Sequence, residues 1–218
     1  MSQVFPPSMN VIARVALLVI IFVLVGLAGL GYYIVQSPYI TEVGVAKAQA
    51  VPYSHQQHVG GLGLDCRYCH TSVETSNTAN IPPTATCMGC HAQVATDSPA
   101  LDLVRASAEE NKPLEWIRVH DLADYVYFNH AIHVQQGVGC ETCHGRVDQM
   151  PVVAKAQNLQ MDWCLDCHRM PEKYIRPRDA VFTMGYTPPV AQATLGPQLV
   201  AEHNIHVDQL TDCSVCHR

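Results

Sequence analysis

All 10 cysteines of this chain stand in five Cys-x-x-Cys-His pentapeptides. They are Cys66–Cys69–His70, Cys87–Cys90–His91, Cys140–Cys143–His144, Cys164–Cys167–His168 and Cys213–Cys216–His217, referred to below as motifs one to five. The pattern is the attachment signal of c-type haem. The two sulfurs form thioethers with the porphyrin vinyl groups, and the adjacent histidine reaches under the ring to bind iron. Competing uses of paired cysteines fit poorly. A zinc site draws four ligands from two pairs, whereas five pairs is an odd number and zinc needs no histidine after each. A thioredoxin-type dithiol occurs once, beside a βαβ pattern, and no such pattern is visible. Five disulfides across two-residue loops would be weak staples for an exported domain. The expectation is five covalently attached haems c, with His70, His91, His144, His168 and His217 as proximal iron ligands.

The histidines outside the motifs repeat as well. His-x-x-His pairs precede motif one (His55, His58), motif three (His130, His133) and motif five (His203, His206). The first histidine of each pair lies 11, 10 and 10 residues ahead of its cysteine. Motifs two and four follow their predecessors without a pair. The cysteine segment covers one face of a haem, so a ligand for the other face must come from a stretch long enough to travel round the ring. Ten residues suffice, which assigns His55 to haem 1, His130 to haem 3 and His203 to haem 5. His120, in the strand-like EWIRVHDL, and His206 are further candidates. Met150 and Met161 are candidates too, since a methionine ligand would raise that haem's potential. Met170 reads as packing.

These groups need elements to carry them. From Val15 to Val35 the chain has 21 uncharged, mostly apolar residues. A helix rising about 1.5 Å per residue crosses a hydrocarbon core of about 30 Å in about 20 residues. Tyr32 and Tyr33 close the run where aromatic side chains favour the membrane interface. A cleaved signal peptide would have a shorter apolar region with small residues close behind. Ala48-Gln49-Ala50 lies 13 residues beyond the run, so a retained single-pass anchor is expected. Arg14 on its N-terminal side, and the attachment of haem c outside the cytoplasm, orient residues 1–14 to the cytoplasm and 36–218 to the periplasm of a bacterial cytoplasmic membrane. The span has no ionisable residue to serve a proton path, and Gly26, Gly29 and Gly31 suit either an ordinary membrane helix or close packing on a partner helix.

Beyond Gln36, removing Arg14 from the 13 basic residues leaves 12 against 19 acidic ones, a balance of −7. That argues against nucleic acid or anionic lipid as a partner. Arg169, Lys173, Arg176 and Arg178 form a local basic cluster, read as a solvated or propionate-pairing surface or a docking patch. The repeats divide the soluble part into 52–91 (haems 1 and 2), a connector at 92–128, 129–168 (haems 3 and 4), a linker at 169–198 and 199–218 (haem 5). Within the connector, Ser98 and Pro99 open a short helix with Leu101, Val104 and Ala108 on one face, closed by Pro113. Pro188, Pro189 and Pro197 mark 187–197 as loop. The expected fold is a multihaem cytochrome c: one N-terminal transmembrane helix plus a haem-cored periplasmic domain with short helices and much irregular structure.

The His-x-x-His pairs resemble those of the class III multihaem cytochromes c, where the second histidine ligates a neighbouring haem. That resemblance implies His58 for haem 2 and His133 for haem 4. YSHQQHVGGLGLDCRYCH, IPPTATCMGCH, IRVHDLADYVYFNHAIHVQQGVGCETCHGRV and MDWCLDCHR together resemble the pentahaem cytochrome subunit of bacterial alternative complex III, a quinol:acceptor oxidoreductase. The resemblance implies an electron-transfer subunit, not itself an enzyme, working with integral-membrane and iron–sulfur/molybdopterin-like subunits. Its acceptor would be a monohaem cytochrome c or a soluble copper or haem protein. An alternative is an anchored multihaem quinol dehydrogenase feeding a nitrate or nitrite reductase, in which a methionine follows the first motif's histidine by two residues; here Thr71 and Ser72 follow His70. A pentahaem reductase would need an open iron, typically from a motif ending in lysine, and all five motifs end in histidine.

Overall fold

The structure, a computed structural model, describes residues 5–217. Residues 1–4 and 218, the outer ends of the stretches expected at 1–14 and 199–218, lie outside it. Internal contacts divide the chain after Glu42 into two units.

The first unit is dominated by α1 (Ser8–Gln36), 29 residues with no buried side chain. Pro6 and Pro7 precede it, and Ser37 ends it in extended conformation before Pro38, the backbone state that a following proline imposes. Ser37 Oγ donates to the Ile34 carbonyl at 2.6 Å, satisfying one of the helix's last acceptors. A short turn, α2 (Pro38–Thr41), follows. The helix starts at Ser8, seven residues before the apolar run. At 29 residues, with an 18-residue stretch of mean hydropathy 2.9, it is long and apolar enough to cross a membrane.

The second unit is built from short helices: α3 (Cys66–Cys69), α4 (Thr84–His91), α5 (Asp102–Glu110), α6 (His130–Gln135), α7 (Cys140–His144), α8 (Met161–Arg169), α9 (Gln192–Glu202) and α10 (Cys213–Cys216). A π-helical turn, Gln56–Gly61, sits between His55 and motif one. Among the described residues there is no strand ladder, only isolated bridges such as Val138 with Ile175. EWIRVHDL is therefore not a strand. Its Ile117 backbone is paired instead by the Gln49 side chain, which accepts from Ile117 N at 2.9 Å and donates to its carbonyl at 3.0 Å. The buried apolar core residues of this unit are few: Val51, Val73, Val104, Ala131, Ile175, Val181 and Leu199, of which Ile175 and Val181 are fully buried. So sparse a core cannot by itself order a unit this size.

Two local expectations are corrected. α5 buries Val104 and Ser107, not Ala108, because it stops at Asn111, which adopts a left-handed conformation. Ser107 Oγ is then close enough to bond Thr84 Oγ1 on α4 at 2.6 Å. The loop expected at 187–197, inside the linker expected at 169–198, is instead entered by α9, which contains Pro197. Tertiary packing overrides the proline. α9 lies on the turn Pro171–Lys173, Leu199 is 4% exposed, and Gln192 donates to the carbonyls of Glu172 and Ile175 at 2.7 and 2.9 Å. Gly196 rests directly on the Glu172 carbonyl, where a Cβ would collide. Leu199→Ala should cost about 2–5 kcal/mol, read as a lower thermal unfolding midpoint of the haem-loaded chain.

Candidate multihaem site

Every attachment motif sits on a helical turn (α3, α4, α7, α8 and α10). A turn of helix brings residues three apart onto one face, so each cysteine pair presents two sulfurs side by side with its histidine following. A side-chain cap holds the first of these turns. Asp65 accepts from Arg67 N at 2.8 Å at the start of α3, and its carboxylate also pairs the Arg67 guanidinium at 2.8 Å. That guanidinium holds the Asp65 carboxyl below the usual range.

The histidines share one orientation device. Four motif histidines place Nδ1 on a backbone carbonyl: His70 on Asn80 at 2.6 Å, His91 on Val94 at 3.1 Å, His168 on Leu210 at 2.9 Å and His217 on Tyr125 at 3.1 Å. Four histidines outside the motifs do the same: His58 on Ser54 at 2.8 Å, His130 on Asn77 at 2.9 Å, His133 on Asn129 at 2.7 Å and His203 on Gln136 at 3.0 Å. A carbonyl only accepts, so Nδ1 carries the proton and the Nε2 lone pair is left for a metal.

Ring separations then sort the partners. An imidazole nitrogen sits about 2 Å from a bound transition metal and the ring centre roughly 1 Å further back, so two imidazoles across one iron have centroids roughly 6 Å apart. His58 and His91 are 6.1 Å apart, His130 and His144 are 6.4 Å, and His133 and His168 are 6.2 Å. His120 packs on His144 at 4.2 Å, which leaves no room for a metal between them.

His55 lines the same cavity as His70, together with the cysteines of motifs one and three. The His206 Nε2 is engaged by Asn204 Nδ2 at 3.3 Å. Met161 is 64% exposed, and Met150 packs beside Gly145, next to His144.

The residues suit a metalloporphyrin. Burial lowers His55 to about 4, helped by the neighbouring His70 and His58, and lowers His120 to about 4 and His144 to about 3. Burial also lowers His133. Near neutral pH these rings are uncharged, the form that binds metal. The shared cavity is lined mainly by apolar side chains, yet His55 Nδ1 and His120 Nε2 are buried in its wall without a hydrogen-bond partner. Burial of an unpaired polar atom is unfavourable, and a polar or metallic occupant relieves it.

Two further residues belong to the site. Tyr53 meets His55 edge-on at 4.8 Å and stacks on His58 at 4.5 Å. Phe128 meets His130 edge-on at 4.7 Å and stacks on His133 at 4.4 Å. Each aromatic stands two residues before its pair, a signal present in the sequence. At the third pair that place is taken by Ala201, in keeping with the different role of His206.

Residues 132–218, a stretch with motifs three, four and five, match the cytochrome c3 family. This stretch is a cytochrome c3-like multihaem domain. The chain is also 33% identical, over 99 residues, to the menaquinone reductase multihaem cytochrome c subunit of Nitratidesulfovibrio vulgaris (strain Hildenborough), a match covering 45% of this chain and 46% of that protein. The chain thus spans about half the length of this curated relative.

Inside the cytochrome c3-like domain, Arg176 is not part of a surface cluster. It is 7% exposed and pairs with Glu141, a spacer residue of motif three, at 2.9 Å. It also donates to the Thr183 carbonyl at 3.1 Å and lies 4.9 Å from the Tyr186 ring centroid. Gly137 (φ +85°) carries the chain past the Arg176 carbonyl and the His203 ring in a left-handed conformation where a Cβ would clash. Arg169, Lys173 and Arg178 stay exposed, so the basic cluster is reduced to those three.

Proposed function

We propose that this chain is a membrane-tethered electron-transfer subunit of a quinone oxidoreductase, carrying five covalently attached haems c and transforming no substrate at its own irons. The observation that carries this reading is the set of three histidine pairs at one-iron separation. In each, a histidine outside the motifs meets a motif histidine. A haem c supplies a one-electron ferric–ferrous couple, and with both axial positions filled it offers no open coordination site.

The chain's own residues set up that closure. His58 with His91, His130 with His144 and His133 with His168 would each hold one iron between them. His55 with His70 and His203 with His217 complete the set, through the repeat spacing and the free Nε2 of His203. His120 and His206 stand outside it, as do Met150 and Met161. The carbonyls that hold Nδ1 fix each ring's direction, and Tyr53 and Phe128 keep both members of their pairs in place. α1 spans the cytoplasmic membrane with residues 1–14 inside, and the haem-bearing unit lies in the periplasm.

The chain works in a quinol:acceptor oxidoreductase, a reading supported by its resemblance to the alternative complex III pentahaem subunit. Integral-membrane and iron–sulfur/molybdopterin-like subunits accompany it there, and electrons pass to a monohaem cytochrome c or a soluble copper or haem protein. The relative from Nitratidesulfovibrio vulgaris favours a second reading with opposite flow, in which electrons arriving from the periplasm reduce menaquinone.

Purification of the intact membrane complex tests both. The chain mass should exceed the polypeptide's by five haems, every ferric haem should be low-spin by EPR, and the named subunits should co-purify. Quinol-driven reduction of the haems supports the first reading; reduction of added menaquinone by a periplasmic donor supports the second. A high-spin haem in the native chain, or nitrite turnover by the isolated chain, would overturn the electron-transfer assignment.

A further inference from the structure

Contacts between the motifs put them in an order that differs from their order in the chain. Motifs one and two meet through Tyr53, whose ring touches both His55, in the cavity of motif one, and His58, the partner of His91 in motif two. The Tyr68 hydroxyl of motif one also lies against Gly89 of motif two. Motifs one and three share a single cavity, lined by Cys66, Cys69 and His70 from one side and Cys140, Cys143 and His144 from the other. One loop serves both: Asn80 holds His70 and Asn77 holds His130.

Motifs three and four meet through α6, since His130 faces His144 and His133 faces His168 from the same short helix, under the one Phe128 ring. Motif five joins at motif four, because the Nδ1 of His168 rests on the carbonyl of Leu210, three residues before Cys213. Motif five also packs on the segment leading into α6, where Tyr127 N donates to the Cys216 carbonyl at 2.8 Å. Exposure follows the same sequence. Cys90 and Cys213 are exposed, while the other eight cysteines are partly buried.

We infer that the five attachment sites run in single file in the order two, one, three, four, five, with site three the link between the halves and sites two and five the places where redox partners exchange electrons. The inference rests on the proposed reading that all five motifs carry haem. Cys90 and Cys213 set the outer edges of the file at the surface, where a partner approaches without rearranging the chain. The middle of the file is closed in by Val73, Val138 and the paired histidines.

A photochemical injection experiment on the haem-loaded full chain tests the order. A ruthenium polypyridyl photoreductant is attached at Asp208→Cys, beside motif five. Each flash moves one electron from the excited label to a ferric site, which becomes ferrous, and a sacrificial amine donor restores the label. Freeze-quench EPR follows the loss of each low-spin ferric signal. With five sites, all five signals should fade in the parent; with site three removed by Cys140→Ala and Cys143→Ala, only the two on the motif-five side should fade at the parental rate. Removing site two by Cys87→Ala and Cys90→Ala should leave the remaining four connected.

If the site-three variant does not fold, His130→Met keeps the attachment and raises that site's potential. Signals one and two should then fade only after signal three is lost. Sites one and two filling at the parental rate without site three, or before it in His130→Met, sinks the order. So does loss of connection when site two alone is removed. A parent mass with fewer than five haems refutes instead the functional reading beneath it.

Discussion

Replacing His133 with alanine is expected to turn one haem in five high-spin while the other four keep their low-spin EPR signals. His133 stands 6.2 Å from His168, with ring planes 25° apart. Its Nδ1 is fixed on the Asn129 carbonyl at 2.7 Å, and Phe128 covers its face. Alanine removes the nitrogen. The histidine next along the helix face, His130, is committed to His144 at 6.4 Å. The loss should therefore be confined to the haem of motif four.

His130→Ala should open the haem of motif three in the same way, and His58→Ala that of motif two. His206→Ala is the control: its Nε2 meets Asn204 rather than a motif histidine, so the spectrum should not change and stability should move by no more than about 0.5 kcal/mol. Low-temperature EPR on the four variants checks the allocation. Five low-spin haems in His133→Ala, or a high-spin signal in His206→Ala, would reverse the roles given to the two members of a pair. Phe128→Ala leaves the ligand in place but removes its stack, worth roughly 1 kcal/mol; it should shift the g-values of the motif-four haem without making it high-spin.

The attachment chemistry was legible in the sequence because it is local. Two cysteines and a histidine within one helical turn need nothing from the rest of the chain to be recognised, and the His-x-x-His pairs carry a regular spacing. What faces what across an iron is a tertiary matter. Spacing assigned His130 to haem 3 but left His120 an open candidate, which its 4.2 Å approach to His144 sets apart. Tyr53 and Phe128 were visible two residues ahead of their pairs, yet nothing in a string of letters says that one ring touches both histidines. Pro197 read as a loop marker because a proline costs a helix its hydrogen bond. The contacts of Leu199 and Gln192 with the Glu172–Ile175 turn outweigh that cost. Arg176 looked like one of four neighbouring surface cations. Its burial depends on Glu141, 35 residues earlier, a separation at which charge pattern along the chain carries no information.

That buried pair supports the second large effect. Arg176→Met is expected to destabilise the haem-loaded chain by about 3–5 kcal/mol, the usual result of removing one partner of a buried ion pair and stranding the other. The thermal midpoint should fall by on the order of 10 °C. Glu141 would keep the Gly185 N–H at 2.6 Å but lose the guanidinium at 2.9 Å. Its other cationic neighbour, Arg146, is 4.0 Å away and holds Asp148 at 2.6 Å. Arg176→Lys should recover little, since an ammonium cannot reach the Glu141 carboxylate and the Thr183 carbonyl together while lying over Tyr186. Arg176→Met combined with Glu141→Gln should recover most of the loss, because the desolvated charge is then gone from both sides. Glu141 is a spacer of motif three, so the single variant should also perturb the EPR signal of that haem before any other. A midpoint unchanged in Arg176→Met, or a double variant no better than the single one, would show that the pair contributes no net coupling. Fixing motif three would then fall to Gly139, which leaves room for the Arg176 side chain, and to the surrounding backbone bonds.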